Sequence, residues 1–182
     1  AIHVRGVDER HAGIDRRMIE LDGTPNKSRL GEKAGFSAGK DILLGLDAAS
    51  VTPAELIRAV SKQMIARGAG RIVNLASVAA YTAHTDLWYG VTKAGVVSFT
   101  RSFAARLGPK GIQVNAVAPG PIDTPLLDRA QPERVEQLMK VVYTRRKGKP
   151  EEVAEAIRWL AVDAPVIING AVIDVTDGSV LR

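Results

Sequence analysis

Residues 71–127 hold a strand–helix–strand pattern that restricts the chain to a narrow set of folds. Ile72 to Ala76 is a short apolar run rich in β-branched residues, which predicts a buried strand. A helix is expected from about Asp86 to Leu107, and Ile112 to Val117 reads as a second buried strand running into the turn Pro119-Gly120. Strands that alternate with helical segments predict an α/β fold with a mainly parallel sheet. Asn74 and Ser77 then fall at the carboxyl end of the first strand, where open α/β sheets place their ligands.

The same stretch carries candidate chemistry. Tyr89 and Lys93 are four residues apart, so they share one helix face. An ammonium beside a phenol stabilises the phenolate, which makes the phenol a usable general acid/base for a carbonyl or an alcohol. Ser77 is placed to hold the substrate oxygen by a hydrogen bond. By itself the Tyr–Lys spacing arises often by chance on any helix.

Three blocks in order are far more specific: Asn74-Leu75-Ala76-Ser77, Tyr89-Gly90-Val91-Thr92-Lys93, and Asn115 to Thr124 (NAVAPGPIDT). Together they resemble the short-chain dehydrogenase/reductase family over residues 51–182. The resemblance implies a Rossmann-like fold, a mainly parallel sheet flanked by helices, and an NAD(P)-dependent oxidoreductase that interconverts a carbonyl and an alcohol. It implies Ser77, Tyr89 and Lys93 as the catalytic residues, with Tyr89 moving the proton and Lys93 also holding the nicotinamide ribose. It implies Asn74, Tyr89, Lys93, Pro119, Gly120, Ile122 and Thr124 as cofactor-binding residues, for NAD or NADP without a choice between them. Ser77 and Tyr89 are twelve residues apart, one fewer than the family spacing. Assembly as a homodimer or homotetramer is implied too, with the long helix and the last strand as the contacts.

The N-terminal part reads differently. Ile14 to Gly31 and Glu32 to Ser50 resemble two pieces of enolase that are not adjacent in that family. Asp47 matches a metal-ligand aspartate there, but a divalent ion needs several oxygen ligands and no partners can be placed, so no metal site is expected. His3 and His11 fit no compact metal motif. Gly31, Gly35 and Gly39 fall short of a phosphate loop, because no strand precedes them and Ser37 stands at the third close position. Asp41 to Asp47 is a good buried strand. Residues 1–50 are therefore expected to be an atypical leader, with the N-terminal half of the Rossmann-like unit truncated or replaced. An inactive or chimeric scaffold without a complete cofactor site is the alternative to an enzyme.

The remaining elements follow the family order. Thr52 to Glu55 spells a capping box with Pro53 at the first helical position, before a helix to Arg67. Gln131 to Tyr143 is expected as a helix over the substrate. Another helix should start at Pro150, and Ala171 to Val175 should be the last strand.

Bulk composition narrows the classes. Hydrophobic and charged contents of 46% and 25% are those of a globular protein. The net charge of +5 is scattered, so a solvated surface is expected rather than nucleic-acid binding. No cysteine is present, which excludes disulfides, thiol nucleophiles and Cys-ligated zinc. No apolar run reaches membrane-span length, and the first ten residues lack a signal-peptide core. A cytoplasmic protein acting on a small carbonyl or alcohol substrate is the expectation.

Overall fold

The computed structural model describes residues 52–181. The Asp41–Asp47 strand, the Gly31–Gly39 glycines, Asp47, both N-terminal histidines and the enolase-like pieces lie outside the described residues, as do the side chains of the Thr52 capping box.

Helix α1 (Thr52–Arg67) precedes strand β1 (Gly70–Leu75), and helix α2 (Leu87–Leu107) carries the chain to strand β2 (Ile112–Pro119). Short helix α3 (Pro125–Asp128), helix α4 (Pro132–Val141) and helix α5 (Pro150–Arg158) follow, and strand β3 (Val172–Val175) closes the sheet. The three strands are parallel in the order β1-β2-β3, with Ile72 opposite Val114, Leu75 opposite Val117 and Ala116 opposite Val172.

Strand β2 is the centre of the molecule. Ile112, Val114, Ala116, Val117 and Ala118 are all fully buried, as expected of a parallel strand covered on both faces. Side chains alternate across the sheet, so the two faces take different partners. On one face Ile112 and Val114 pack with Ile57 and Met64 of α1 and with Ala104 and Leu107 of α2. Further along that face Ala116 and Ala118 meet Val96 and Val97 of α2. On the other face Val117 packs with Val153 of α5 and with Leu160 and Ala164 beyond it. The helices therefore cover both faces, and the Rossmann-like α/β reading holds for the described residues.

Two asparagines, Asn115 buried and Asn169 half-buried, tie β2 to the segment before β3. Asn115 Nδ2 donates to Ile168 O at 2.9 Å, and its Oδ1 accepts from the Ala171 N–H at 2.9 Å. Asn169 Oδ1 accepts from the Val114 N–H at 2.8 Å. A buried amide with its groups satisfied in this way fixes register, whereas an unsatisfied one would cost stability.

Element boundaries shift from the expectations. Strand β1 starts at Gly70 rather than Ile72, because Gly70 pairs with Ile112 in the parallel register. The helix expected at Gln131–Tyr143 spans Pro132–Val141. It stops there because Val142 is extended and buried, 2% exposed, against the body of the protein. Helix α5 starts at Pro150 as expected, and the Lys149 N–H donates to Glu152 Oε2 at 2.6 Å, one half of a capping box. Its periodicity runs on past Arg158, but the backbone widens into a π-helical turn at Trp159–Asp163, which sequence patterning does not reveal.

Two stability outcomes follow. Ile112→Ala should cost about 2–5 kcal/mol, whereas Ile167→Ala, at a residue 88% exposed, should change stability by less than about 0.5 kcal/mol. Denaturant midpoints compare the two directly. Glu152 is held down to about 2 by its bidentate hydrogen bonds from Arg146 and by the Lys149 N–H. A carboxylate with a lowered folded pKa contributes stability above its ordinary value of 4.5, and that contribution is lost as pH falls towards 2. Glu152→Gln should therefore flatten the stability-against-pH curve between these limits and leave its neutral branch parallel to that of the parent.

Candidate active site

The parallel register sets the site. Because Leu75 lies opposite Val117, the carboxyl ends of β1 and β2 finish side by side, and the Ala76 N–H donates to Val117 O at 2.8 Å. Ser77 follows β1, and Pro119-Gly120 follows the core of β2. These two strand ends are where open α/β sheets admit ligands.

Helix α2 brings Tyr89 and Lys93 to the same place. Asp86 caps the helix, its Oδ1 accepting the Tyr89 N–H at 3.1 Å, so Tyr89 sits in the first turn with its backbone held. The Asp86 N–H donates to His84 Nδ1 at 3.1 Å, and the His84 and Tyr89 rings meet at 4.8 Å between centroids, tilted by 41°. One turn later Lys93 Nζ lies 5.7 Å from the Tyr89 ring centroid, within cation–π range. The same ammonium donates to Leu75 O at 3.0 Å, the last carbonyl of β1. Burial holds the Lys93 ammonium below the usual lysine range, because desolvation disfavours the charged form. The helix face predicted from spacing is thus joined to the strand end by a bond the spacing does not reveal.

Ser77 lies two residues beyond the carbonyl that holds Lys93. It is 8% exposed, and its Oγ accepts the Ala79 N–H at 3.2 Å, capping a single 3₁₀ turn at Val78–Ala80. An acceptor role leaves the hydroxyl proton for another oxygen.

Asn74, expected to bind cofactor, also bonds within the core. Its Nδ2 donates to Thr100 Oγ1 at 2.9 Å, and Thr100 Oγ1 donates to Val96 O at 2.7 Å, both inside the core. The bond ties β1 to α2, so Asn74 fixes the distance between the strand end and the helix face. Neither Thr100 nor Asp86 stands out in the sequence as a site residue, since a threonine within a helix and an aspartate before one are both common.

The loop after β2 is packed at Pro121 and Ile122 and braced by hydrogen bonds around them. The Gly120 N–H donates to Val175 O at 3.0 Å, Thr124 Oγ1 donates to Ile122 O at 3.3 Å, and Ile122 forms a parallel bridge with Gly148. Gly120 makes a close approach here: a Cβ would stand 3.2 Å from Ser179 Oγ and from the Thr176 Cα, so its neighbours would have to give way. Beneath this loop is a cavity of about 110 Å³ lined by Pro121, Ile122, Val142 and Val175, with Arg146 and Glu152 at its edge. A more open groove lies between Tyr81 and the Ala94–Ser102 face of α2. Neither concavity is lined by Ser77, Tyr89 or Lys93; Ser77 and the Lys93 ammonium lie at the end of β1, and Tyr89 is linked to that end through Lys93. Among the described residues no group of three or more His, Asp or Glu could hold a metal ion, and no helix is long and apolar enough to cross a membrane.

Comparison with known proteins agrees with this arrangement. A family model described as enoyl-(acyl carrier protein) reductase matches residues 30–179, so the match reaches back beyond residue 51. A 3-oxoacyl-[acyl-carrier-protein] reductase of Synechocystis is 40% identical over 126 residues, which is 68% of this chain and 50% of that protein. A 3-oxoacyl-[acyl-carrier protein] reductase of Brucella melitensis, solved with bound NAD, is 34% identical with a TM-score of 0.69. That alignment covers 78% of this chain and 52% of the other. A structure provisionally assigned as a 2-deoxy-d-gluconate 3-dehydrogenase of Agrobacterium tumefaciens, with bound NADP, is 30% identical with a TM-score of 0.71, covering 75% and 57%. The chain spans about half the length of the curated relatives it matches.

The cap makes one prediction specific to the site. Asp86→Ala should lower stability by about 1 kcal/mol and Asp86→Asn by much less, because asparagine also caps. Thermal unfolding of the two variants reads the difference.

Proposed function

The chain belongs to the short-chain dehydrogenase/reductase family, and from that premise we propose that it serves an NAD(P)-dependent oxidoreductase that interconverts a carbonyl and an alcohol. The observation that carries this reading is the convergence of Tyr89 and Lys93 on the end of β1. The relatives' names favour a 3-oxoacyl thioester as the first substrate to try.

The residues present suit the nicotinamide–ribose end of such a cofactor. Lys93 Nζ has three N–H donors, and Leu75 O takes one, which leaves two for a ribose diol. Pro119, Gly120, Ile122 and Thr124 form the facing loop, braced from beneath. The cofactor, when bound, supplies or accepts the hydride at the carbonyl carbon. The Tyr89 hydroxyl delivers the proton to the carbonyl oxygen in reduction and takes it back in oxidation. The Lys93 ammonium stabilises the phenolate left behind. Ser77, through its remaining hydroxyl proton, orients the substrate oxygen.

A scaffold that keeps the fold and binds no cofactor is the second reading. It draws on the Leu75 carbonyl holding Lys93 and on Ser77, Tyr89 and Lys93 lining neither concavity. The oxidoreductase reading carries with it a homodimer or homotetramer.

The test is purified protein with NADH and NADPH, titrated by fluorescence and then offered 3-oxoacyl thioesters and a panel of simple ketones. Turnover that falls at least about 100-fold in Tyr89→Phe, with cofactor binding kept, supports the reading. Binding of neither cofactor favours the scaffold, and turnover unchanged in Tyr89→Phe defeats the assigned role of the phenol.

A further inference from the structure

The segment from Tyr143 to Lys149 links three parts of the molecule. At one end it is fastened to the loop after β3: the Tyr143 N–H donates to Asp177 O at 3.0 Å, the Thr144 N–H to Asp177 Oδ2 at 2.9 Å, and Thr144 Oγ1 to the same oxygen at 2.5 Å. These bonds hold the Asp177 carboxyl below the usual carboxylate range. In the middle Arg145 donates to the carbonyls of Met139 and Lys140 at the end of α4, and Arg146 pairs with Glu152 at the start of α5.

At the other end it grips the loop after β2. The Asp123 N–H donates to Gly148 O at 2.8 Å, and the Gly148 N–H donates to Pro121 O at 2.9 Å. Lys147 Nζ reaches across to two carboxylates, Asp123 at 2.8 Å and Asp128 at 3.3 Å, and both raise it above the usual lysine range. One of these carboxylates is on the loop and the other is on α3. A single ammonium therefore sets both at a fixed distance from the same backbone.

We propose that Lys147 is a positioning residue: an ammonium clasp that holds the Pro119–Thr124 loop and α3 in the geometry that receives the cofactor's nicotinamide end. Three observations point the same way. Pro121 and Ile122 seat the first half of the loop on the core beside the cavity, but Asp123 beyond them is exposed and is held by polar bonds. Gly148 pairs with Ile122 in a parallel bridge, which lays the backbone of the 143–149 segment against the loop. Lys147 is 32% exposed against 64% and 62% for its two partners, so of the three it is the one drawn in beneath the loop. Exposed ion pairs contribute little one by one, but a charge shared by two carboxylates on separate elements restrains both.

The clasp is a statement about the loop and stands without the functional reading; its effect on cofactor rests on that reading. The experiment measures amide hydrogen exchange in the intact chain at low salt for the parent, Lys147→Met and Lys147→Arg. Exchange at the Asp123 and Gly148 amides should be about three-fold faster in Lys147→Met and close to the parent in Lys147→Arg. The Gly170 N–H, which donates to Val114 O in the core, should not change. At about 1 M salt the parent should approach Lys147→Met. The double variant Asp123→Asn, Asp128→Asn should match Lys147→Met, and combining all three should add nothing. Equal exchange in the parent and Lys147→Met, or a rise shared with Gly170, overturns the clasp.

The second arm is NAD(P)H titration of the same proteins. Dissociation constants about three-fold higher in Lys147→Met and restored in Lys147→Arg are expected. An unchanged constant beside a loosened loop overturns the link to cofactor. If the parent binds neither cofactor, the oxidoreductase reading falls while the exchange data still decide the clasp.

Discussion

The parallel pairing of β1 with β2 is the constraint on which the rest depends. Parallel strands finish at the same end of a sheet, so the residues that follow them are neighbours in space though roughly forty apart in sequence. The register Leu75 to Val117 puts Ser77 beside the approach to Pro119-Gly120. A strand buried on both faces has no freedom to slip, because a shift of one residue would exchange Ile112, Val114 and Ala116 for Gln113, Asn115 and Val117 against the helices. Asn115 and Asn169 add partly buried hydrogen bonds that a slipped register would break.

From that base the site is assembled by short polar connections. Asn74 and Thr100 set the distance between β1 and α2, and Asp86 sets where α2 begins. With both ends of the relation held, Lys93 reaches the last carbonyl of β1 and stands near the Tyr89 ring. The chemistry proposed for the phenol needs a nearby cation whose own position does not drift. Burial and one strong backbone acceptor provide it, at the cost of a lowered lysine pKa. The same small set of bonds thus explains both the geometry and the electrostatics.

The far wall is built on another principle. Pro121, Ile122 and Val142 seat the loop after β2 and the start of the following segment on the core, and a dense set of backbone and charged bonds holds the exposed residues between them. Regions held in this way open at lower free energy than packed cores. A loop that must admit and release a ligand is expected to belong to that class, and its ion pairs give it a position without the rigidity of a core.

Periodicity and local chemistry made much of this legible in the sequence. The apolar runs predicted the two strands and their parallel relation, and Asp86 and Pro150 marked two helix starts within a residue. The Tyr89–Lys93 spacing predicted a shared helix face, because four residues are close to one helical turn whatever surrounds them. The spacing did not reveal that Lys93 would be bonded to Leu75, that Asn74 would serve α2, or that Lys147 would join two carboxylates nineteen and twenty-four residues away. The chain by itself determined which elements form and which side chains share a face, since backbone periodicity is a local property. Tertiary structure alone decided which polar groups meet across elements, because hydrogen bonds and charges act over a few ångströms in space and leave no fixed interval in sequence.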